Sequence, residues 1–204
     1  MAVGKLLVIG ATSSTGQLIV KRGIEPGWIA SVLGRRTLPE QASNAAIQVR
    51  AGPNFEGSID DETLLTTASR GQDAIISVVG PSRPPASATI FVPAYKRILS
   101  VMKTEGTHRI ISLSTFSVYD PNDKATLARW CLTTLMWAMA HRVWKAIVDI
   151  AGVFEADGGD LDWTLFRVGF LRDGAAGEAV DGYVGDGIVG LSVKRADVAE
   201  WPLE

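Results

Sequence analysis

An α/β protein built on a doubly wound parallel sheet is what this sequence predicts, on three observations. Short apolar runs recur along the chain, stretches of helical periodicity separate them, and a glycine-bounded turn follows the first run. Parallel strands need crossover connections, and the crossover helices cover both faces of the sheet. Residues 3–9 read as the first strand, a continuous apolar run broken only by Gly4 and Lys5, and residues 10–16 as the turn after it. Residues 17–23 look helical. Residues 28–33, 47–51 and 73–79 are the next three strands, with a polar-faced helix over 60–70 between the last two. After the proline-rich loop from Pro81 to Pro85, residues 88–105 carry Ile90, Tyr95, Ile98, Leu99 and Met102 at helical spacing, and residues 109–113 follow as the fifth strand. The glycine-rich stretch 174–190 predicts a long loop or hairpin near a ligand cleft. No linker, repeat or low-complexity tract interrupts the pattern, so a single domain over residues 1–204 is expected.

Composition excludes several classes. With 47% hydrophobic and 21% charged residues the chain can bury a sizeable core, which excludes disorder as its main state. Lys plus Arg number 20 against 22 for Asp plus Glu, and a net charge of −2 offers no grip on a phosphate backbone, so nucleic acid is not an expected partner. One cysteine, Cys131, cannot form an internal disulfide or a thiolate metal site, and His108 and His141 add few further ligands, so no metal is expected. The apolar run at residues 6–9 is too short for a signal peptide core, and a reducing cytoplasm is the expected compartment.

Residues 127–151 predict one helix with an unusual face. Trp130, Trp137 and Trp144 are spaced by seven, which displaces each by only about 20° from the last and aligns all three. His141 and Lys145 follow Trp137 by four and eight residues, on the same side. The uncharged part, residues 130–140, is too short for a membrane span, which needs roughly 20 apolar residues. Packing in the core or against a second copy of the chain explains the stripe most simply, and a greasy substrate wall is the alternative.

Two features carry chemistry. Gly10-Ala11-Thr12-Ser13-Ser14-Thr15-Gly16 ends the first strand and opens the first helix, where unpaired N–H groups and the helix dipole can hold a pyrophosphate. Glycine allows the tight turn at position 10 and the close approach at position 16, while Ser13 stands where the usual motif has a middle glycine. After the second strand, Gly34-Arg35-Arg36 stands where a carboxylate normally holds an unphosphorylated ribose, and guanidinium groups suit a 2′-phosphate. A plain turn and a solvated basic loop are the competing explanations.

Together with the Gly10 turn, four further blocks resemble the atypical short-chain dehydrogenase/reductases in order and spacing: Gly71-Gln72-Asp73-Ala74-Ile75-Ile76-Ser77-Val78-Val79-Gly80, Arg109-Ile110-Ile111-Ser112-Leu113-Ser114-Thr115, Leu161-Asp162-Trp163-Thr164-Leu165-Phe166-Arg167 and Arg195-Ala196-Asp197-Val198-Ala199. Nearly the whole chain is similar to that family, and the NmrA-like and biliverdin reductase B (flavin reductase) branch is the nearest look-alike. The resemblance implies a Rossmann-like fold and a nicotinamide cofactor, NADP(H), along the carboxyl ends of the strands. It places Thr12, Ser13, Ser14 and Thr15 at the phosphate turn between Gly10 and Gly16, Arg35 and Arg36 at the adenosine end, and Val78, Val79 and Gly80 near the nicotinamide ribose. Pro53 departs from the family, whose members often place an Asp after the third strand's glycine.

The catalytic end departs further. The family's Tyr-x-x-x-Lys pair is absent: Tyr119 is followed at that spacing by Asp123, in a loop that resembles that of the flavin reductase branch. The nearest equivalent is His141-Arg142-Val143-Trp144-Lys145, whose imidazole could donate a proton near neutral pH or simply pack beside Trp137 and Trp144. Ser114 matches the family's serine and could polarise a carbonyl or cap the strand end. The candidates are therefore Ser114, His141 and Lys145 for catalysis, and Tyr119, Trp137 and Trp144 for the substrate pocket. The expected activity is NADP-dependent reduction of a small, conjugated or carbonyl-containing apolar substrate. A non-catalytic NADP sensor and a non-redox isomerase or cyclase stand as alternatives, with homodimerisation left open.

Overall fold

The computed structural model describes residues 4–24, 27–34, 51–56, 58–81, 88–178 and 180–203. Six parallel strands make the main sheet: β1 (Lys5–Ile9), β2 (Ile29–Gly34), β3 (Ala51–Glu56), β4 (Ala74–Ser77), β5 (Arg109–Thr115) and β6 (Asp162–Val168), in the spatial order β3-β2-β1-β4-β5-β6. The helices are α1 (Ser14–Ile24), α2 (Glu62–Ser69), α3 (Ala88–Glu105), α4 (Leu127–Met139), α5 (His141–Asp157) and α6 (Arg195–Glu200). Both faces of the sheet are covered, so the strands read as unbroken apolar runs. Leu7, Ile9, Ile75 and Ile110 pack against α2, α3 and α5, while Leu6, Val8, Ile76 and Ile111 pack against α1 and α6. A salt bridge of 3.2 Å from Arg22 to Glu200 joins α1 to α6.

The third strand runs beyond the expected segment. β3 shares Ala51 with the predicted 47–51 segment and runs on to Glu56, and residues 47–50 lie outside the described residues. Apolar content pointed to the earlier segment, whereas the pairing with β2 falls on a stretch containing Gly52 and Pro53. Ala30 aligns with Ala51 and Val32 with Asn54, so the register gains one residue across Gly52-Pro53. An edge strand tolerates this, because its outer side needs no N–H from proline.

The helix expected over 127–151 is interrupted. Ala140 adopts φ −134° and ψ 42°, ending α4 and starting α5. The physical cause is burial. On α5, Ala146, Ile147, Ile150, Ala151, Val153 and Phe154 are drawn onto the sheet, whereas no residue of α4 is buried. The three tryptophans therefore do not share one helix, and Trp130 and Trp137 remain 65% and 52% exposed rather than packed in the core. The described part of 174–190 is a loop with no strand of its own, and it connects β7 (Phe170–Arg172) to β8 (Ser192–Lys194), which pair in parallel.

One buried polar group ties the sheet to α3. The Tyr95 hydroxyl donates to Val79 O at 2.7 Å and lies 2.9 Å from Ser77 Oγ and 3.0 Å from Ser112 Oγ. These bonds clamp the carboxyl ends of β4 and β5 side by side. Tyr95→Phe is expected to lower unfolding stability by about 1–3 kcal/mol, because it strands buried partners without opening a large cavity. Chemical denaturation measures this, and an unchanged midpoint would show that the network is energetically idle.

Candidate functional site

The site begins at the switch point of the sheet. β1 has β2 on one side and β4 on the other, so the connections that leave its neighbours depart in opposite directions and open a crevice at the carboxyl ends. Gly10 turns the chain there with φ +86°, and its N–H donates to Leu33 O at 3.0 Å. A Cβ at Gly10 would lie 3.0 Å from Val79 Cγ2 and 3.2 Å from Val78 Cγ2, so the turn and the end of β4 form one continuous surface. A Cβ at Gly16 would meet Gly10 O at 2.5 Å and Ala11 Cα at 2.7 Å. Only glycine lets the helix start this close to the strand.

Ser13 acquires its own task. Its hydroxyl accepts from Gly16 N–H at 3.1 Å and donates to Gly10 O at 3.0 Å, which makes it the N-cap of α1. With Gly16 N–H capped and Gln17 N–H bonded to Ser13 O, the N–H groups of Ser14 and Thr15 remain without intrahelical partners. Thr12, Ser13 and Ser14 are exposed around them, while Thr15 is buried. This geometry fits a dinucleotide pyrophosphate: donors and the positive end of the helix dipole converge on the turn. Arg35 and Arg36 lie outside the described residues.

At the carboxyl end of β5, Ser114 is 8% exposed, stands in register with Arg167 of β6, and its hydroxyl has no hydrogen-bond partner among the described residues. Ser112, two residues earlier on the same face, is tied to Tyr95. Burial pushes the Tyr95 phenol above its ordinary value, while the bonds to Ser112 and Ser77 pull the other way. Tyr95 thus stays protonated as a structural clamp. Val78, Val79 and Gly80 are partly buried to exposed beside it.

His141 and Lys145 begin α5 on its exposed side, opposite the stripe that packs on the sheet. The His141 ring stands edge-on to Trp137 with centroids 5.7 Å apart and stacks on half-buried Trp144 at 5.8 Å. Lys145 Nζ lies 2.8 Å from each carboxylate oxygen of Asp149. The buried residues Val118, Ile147 and Ala151 pack together with Met136, Val143 and Leu165, which seats Val118 among α4, α5 and β6. Tyr119 is 68% exposed, with the Arg129 guanidinium 5.7 Å above its ring.

Asp123 is the group that sequence reasoning noted only as a departure. Its side chain is fully buried and receives Arg167 through two hydrogen bonds of 2.6 and 2.9 Å, with Arg129 at 3.3 Å. Backbone N–H groups of Asp120 and Val184 add bonds of 3.1 Å each. Burial raises the pKa of this carboxyl, but the bonds and charge of Arg167, with the two N–H donors, outweigh it and hold the value below normal. Arg129 and Arg167 in turn donate to the carbonyls of Phe116 and Val118. Both arginines and the aspartate are visible in the sequence, but their partnership, across 44 residues for Asp123 and Arg167, is not.

A family model for NAD(P)H-binding proteins matches residues 10–204. The chain belongs to the NAD(P)H-binding family. Its fold is similar to that of a wide-type short-chain dehydrogenase/reductase from Veillonella parvula in complex with NADP, with a TM-score of 0.72 and 14% identity over 98% of this chain and 85% of that one. It is also similar to the oxidoreductase ylbE from Lactococcus lactis (TM-score 0.71, 20% identity, 96% and 81% covered). A third similar structure is ChuY, an anaerobilin reductase from Escherichia coli O157:H7 (TM-score 0.68, 18% identity, 97% and 88% covered). No helix among the described residues is long and apolar enough to cross a membrane.

Gly16→Ala is expected to weaken dinucleotide binding at least tenfold, about 1.4 kcal/mol, because the new methyl displaces backbone rather than a flexible side chain. Fluorescence titration with NADPH and NADH measures it; unchanged affinity for both would remove the turn from the binding site. For Asp123 the folded-state pKa is lowered, so its stabilising contribution is complete above the ordinary aspartate value of about 3.9 and is lost as pH falls through the lowered one. Denaturation curves of the native protein and Asp123→Asn, compared from neutral pH downward, are expected to converge in acid.

Proposed function

We propose that this NAD(P)H-binding protein is an NADP-dependent reductase of a small, apolar, conjugated or carbonyl-containing substrate. The observation that carries the reading is Ser114: a largely buried residue whose hydroxyl has no hydrogen-bond partner among the described residues, at the carboxyl end of β5, which β4 separates from the turn after β1. A substrate oxygen seated there would accept its proton.

The nicotinamide group supplies a hydride when bound. This chain's residues supply the rest: Thr12, Ser14 and Thr15 with the α1 N-terminus hold the pyrophosphate, and Val78, Val79 and Gly80 border the ribose. Arg35 and Arg36 provide guanidinium donors for a 2′-phosphate, with no carboxylate there to repel it. Ser114 orients and polarises the acceptor oxygen. Lys145 is engaged by Asp149 and His141 by two indoles, so neither is assigned a step. Proton delivery then falls to Ser114 and water, which suits an acceptor already electron-poor. The absence of the family's Tyr-x-x-x-Lys pair from the sequence also suits a non-catalytic NADP sensor, and this is the second reading.

NADPH consumption is the deciding measurement, over a panel of quinones, flavins and enones, with an anaerobilin included because of the similar reductase. Turnover of any member supports the reductase; tight NADPH binding without turnover supports the sensor. Ser114→Ala is expected to lower turnover roughly ten- to a thousandfold with cofactor affinity within a few-fold, whereas His141→Phe leaves rate and pH profile unchanged. The double change of Arg35 and Arg36 to Ala is expected to cost at least tenfold in NADP affinity, about 1.4 kcal/mol, and little for NAD. Equal affinities for the two dinucleotides in the native protein would reject the NADP preference.

A further inference from the structure

The connection from β7 to β8 is stitched to itself and tied at two places. Asp186 accepts the N–H groups of Tyr183 and Ile188, each at 2.7 Å, and of Val189 at 3.1 Å, so residues 183–189 form one closed turn. At its base, Gly177 N–H donates to Asp197 at 2.7 Å and Arg195 bonds Asp173 at 2.7 Å, both from the first turn of α6. At its tip, Val184 N–H donates to the buried Asp123 carboxylate at 3.1 Å, and Val184 O accepts from Lys124 N–H at 2.8 Å. Gly185, at φ +86°, sits so close to the 124–126 backbone that a Cβ would lie 2.8 Å from Lys124 O.

Residues 116–126 follow β5 and the connection after β7 begins just beyond the carboxyl end of β6, so both segments stand at the carboxyl end of the sheet, the end at which the Gly10 turn opens. The first segment is held by Arg129 and Arg167 through the carbonyls of Phe116 and Val118, and the second is held at its tip by Asp123. One carboxylate thus pairs with both arginines, Arg167 also facing Asp120 at 3.8 Å, and reaches across to the opposite segment. A buried charge is an expensive choice if it served packing alone.

We propose that Asp123 is a positioning residue that latches the 183–189 turn across the mouth of the cleft, so that the turn, with Tyr183, and the facing loop, with Tyr119, bound the acceptor site. The base contacts to α6 act as the hinge side and the Val184 contacts as the catch. Substrate passage requires opening at the catch, because that side is held by two backbone hydrogen bonds while the base is joined covalently to β8 and α6. The link to an acceptor rests on the reductase reading; the latch itself does not.

Two variants separate the latch from general stability. Asp123→Asn keeps the shape and removes the charge, whereas Val184→Pro deletes the N–H that the carboxylate accepts and stiffens the backbone there, and leaves both arginine pairs in place. Hydrogen exchange on the full chain is expected to show at least a tenfold loss of protection at residues 183–189 in both variants, larger than any loss at β1, β4 and β5. NADPH affinity is expected to stay within twofold, and KM for an accepted substrate to rise at least fivefold at nearly constant kcat. Should Asp123→Asn fail to fold, Val184→Pro carries the test alone. Unchanged protection at residues 183–189 in Val184→Pro overturns the latch, as does a loss of kcat with KM unchanged. If the native protein turns over no acceptor, the reductase reading falls, and exchange still decides the latch.

Discussion

The closeness of Gly16 to the Gly10 carbonyl is the constraint on which the binding face depends. Helix α1 must begin almost in contact with the end of β1, or its free N–H groups would point past the crevice rather than into it. Gly10 meets the same demand from the other side by letting Val78 and Val79 touch the turn. Between them the two glycines bring the ends of β1, β4 and α1 to one spot, and Ser13 caps the helix without occupying the space a phosphate needs. A serine in the place of the usual middle glycine is therefore compatible with binding.

Two buried polar centres organise the rest of the cleft, and they differ in kind. Tyr95 is neutral and kept so by burial, and its hydroxyl joins β4 to β5 through Ser77, Ser112 and Val79 O. Asp123 is charged and kept so by Arg167 and the backbone donors around it, and it joins loops rather than strands. Neutral hydrogen bonding suits the interior of a sheet, where a charge would have no compensating solvent. A multiply compensated carboxylate suits the rim, where segments distant in sequence must be fixed relative to one another. Ser114 sits between these centres and is engaged by neither.

The exposed aromatic surface of α4 follows from the break at Ala140. Heptad spacing is a property of a continuous helix, and once the helix divides, the alignment of Trp130 and Trp137 with Trp144 no longer holds. α5 obeys the sheet because its apolar residues recur every three to four positions over a buried face. α4 has apolar residues on most sides and no sheet beneath it.

Local pattern determined the strands β1, β2, β4 and β5, the helix over 88–105, the doubly wound parallel class and the tight turn between Gly10 and Gly16. All are fixed by residues adjacent in the chain: apolar runs buried on two faces, helical spacing, and glycines at the ends of a short loop. The run of β3 past Ala51 to Glu56 was not legible because an edge strand bearing Gly52 and Pro53 carries little apolar signal, and its register is settled by pairing with β2. The division of α4 from α5 was hidden for a related reason, since Ala140 is a good helix former and only the docking of α5 requires the turn. The partners of Tyr95 and Asp123 were equally invisible. Hydrogen bonding between residues 16 to 61 positions apart leaves no trace in local spacing, and it is the crossing of parallel strands that brings such groups within reach.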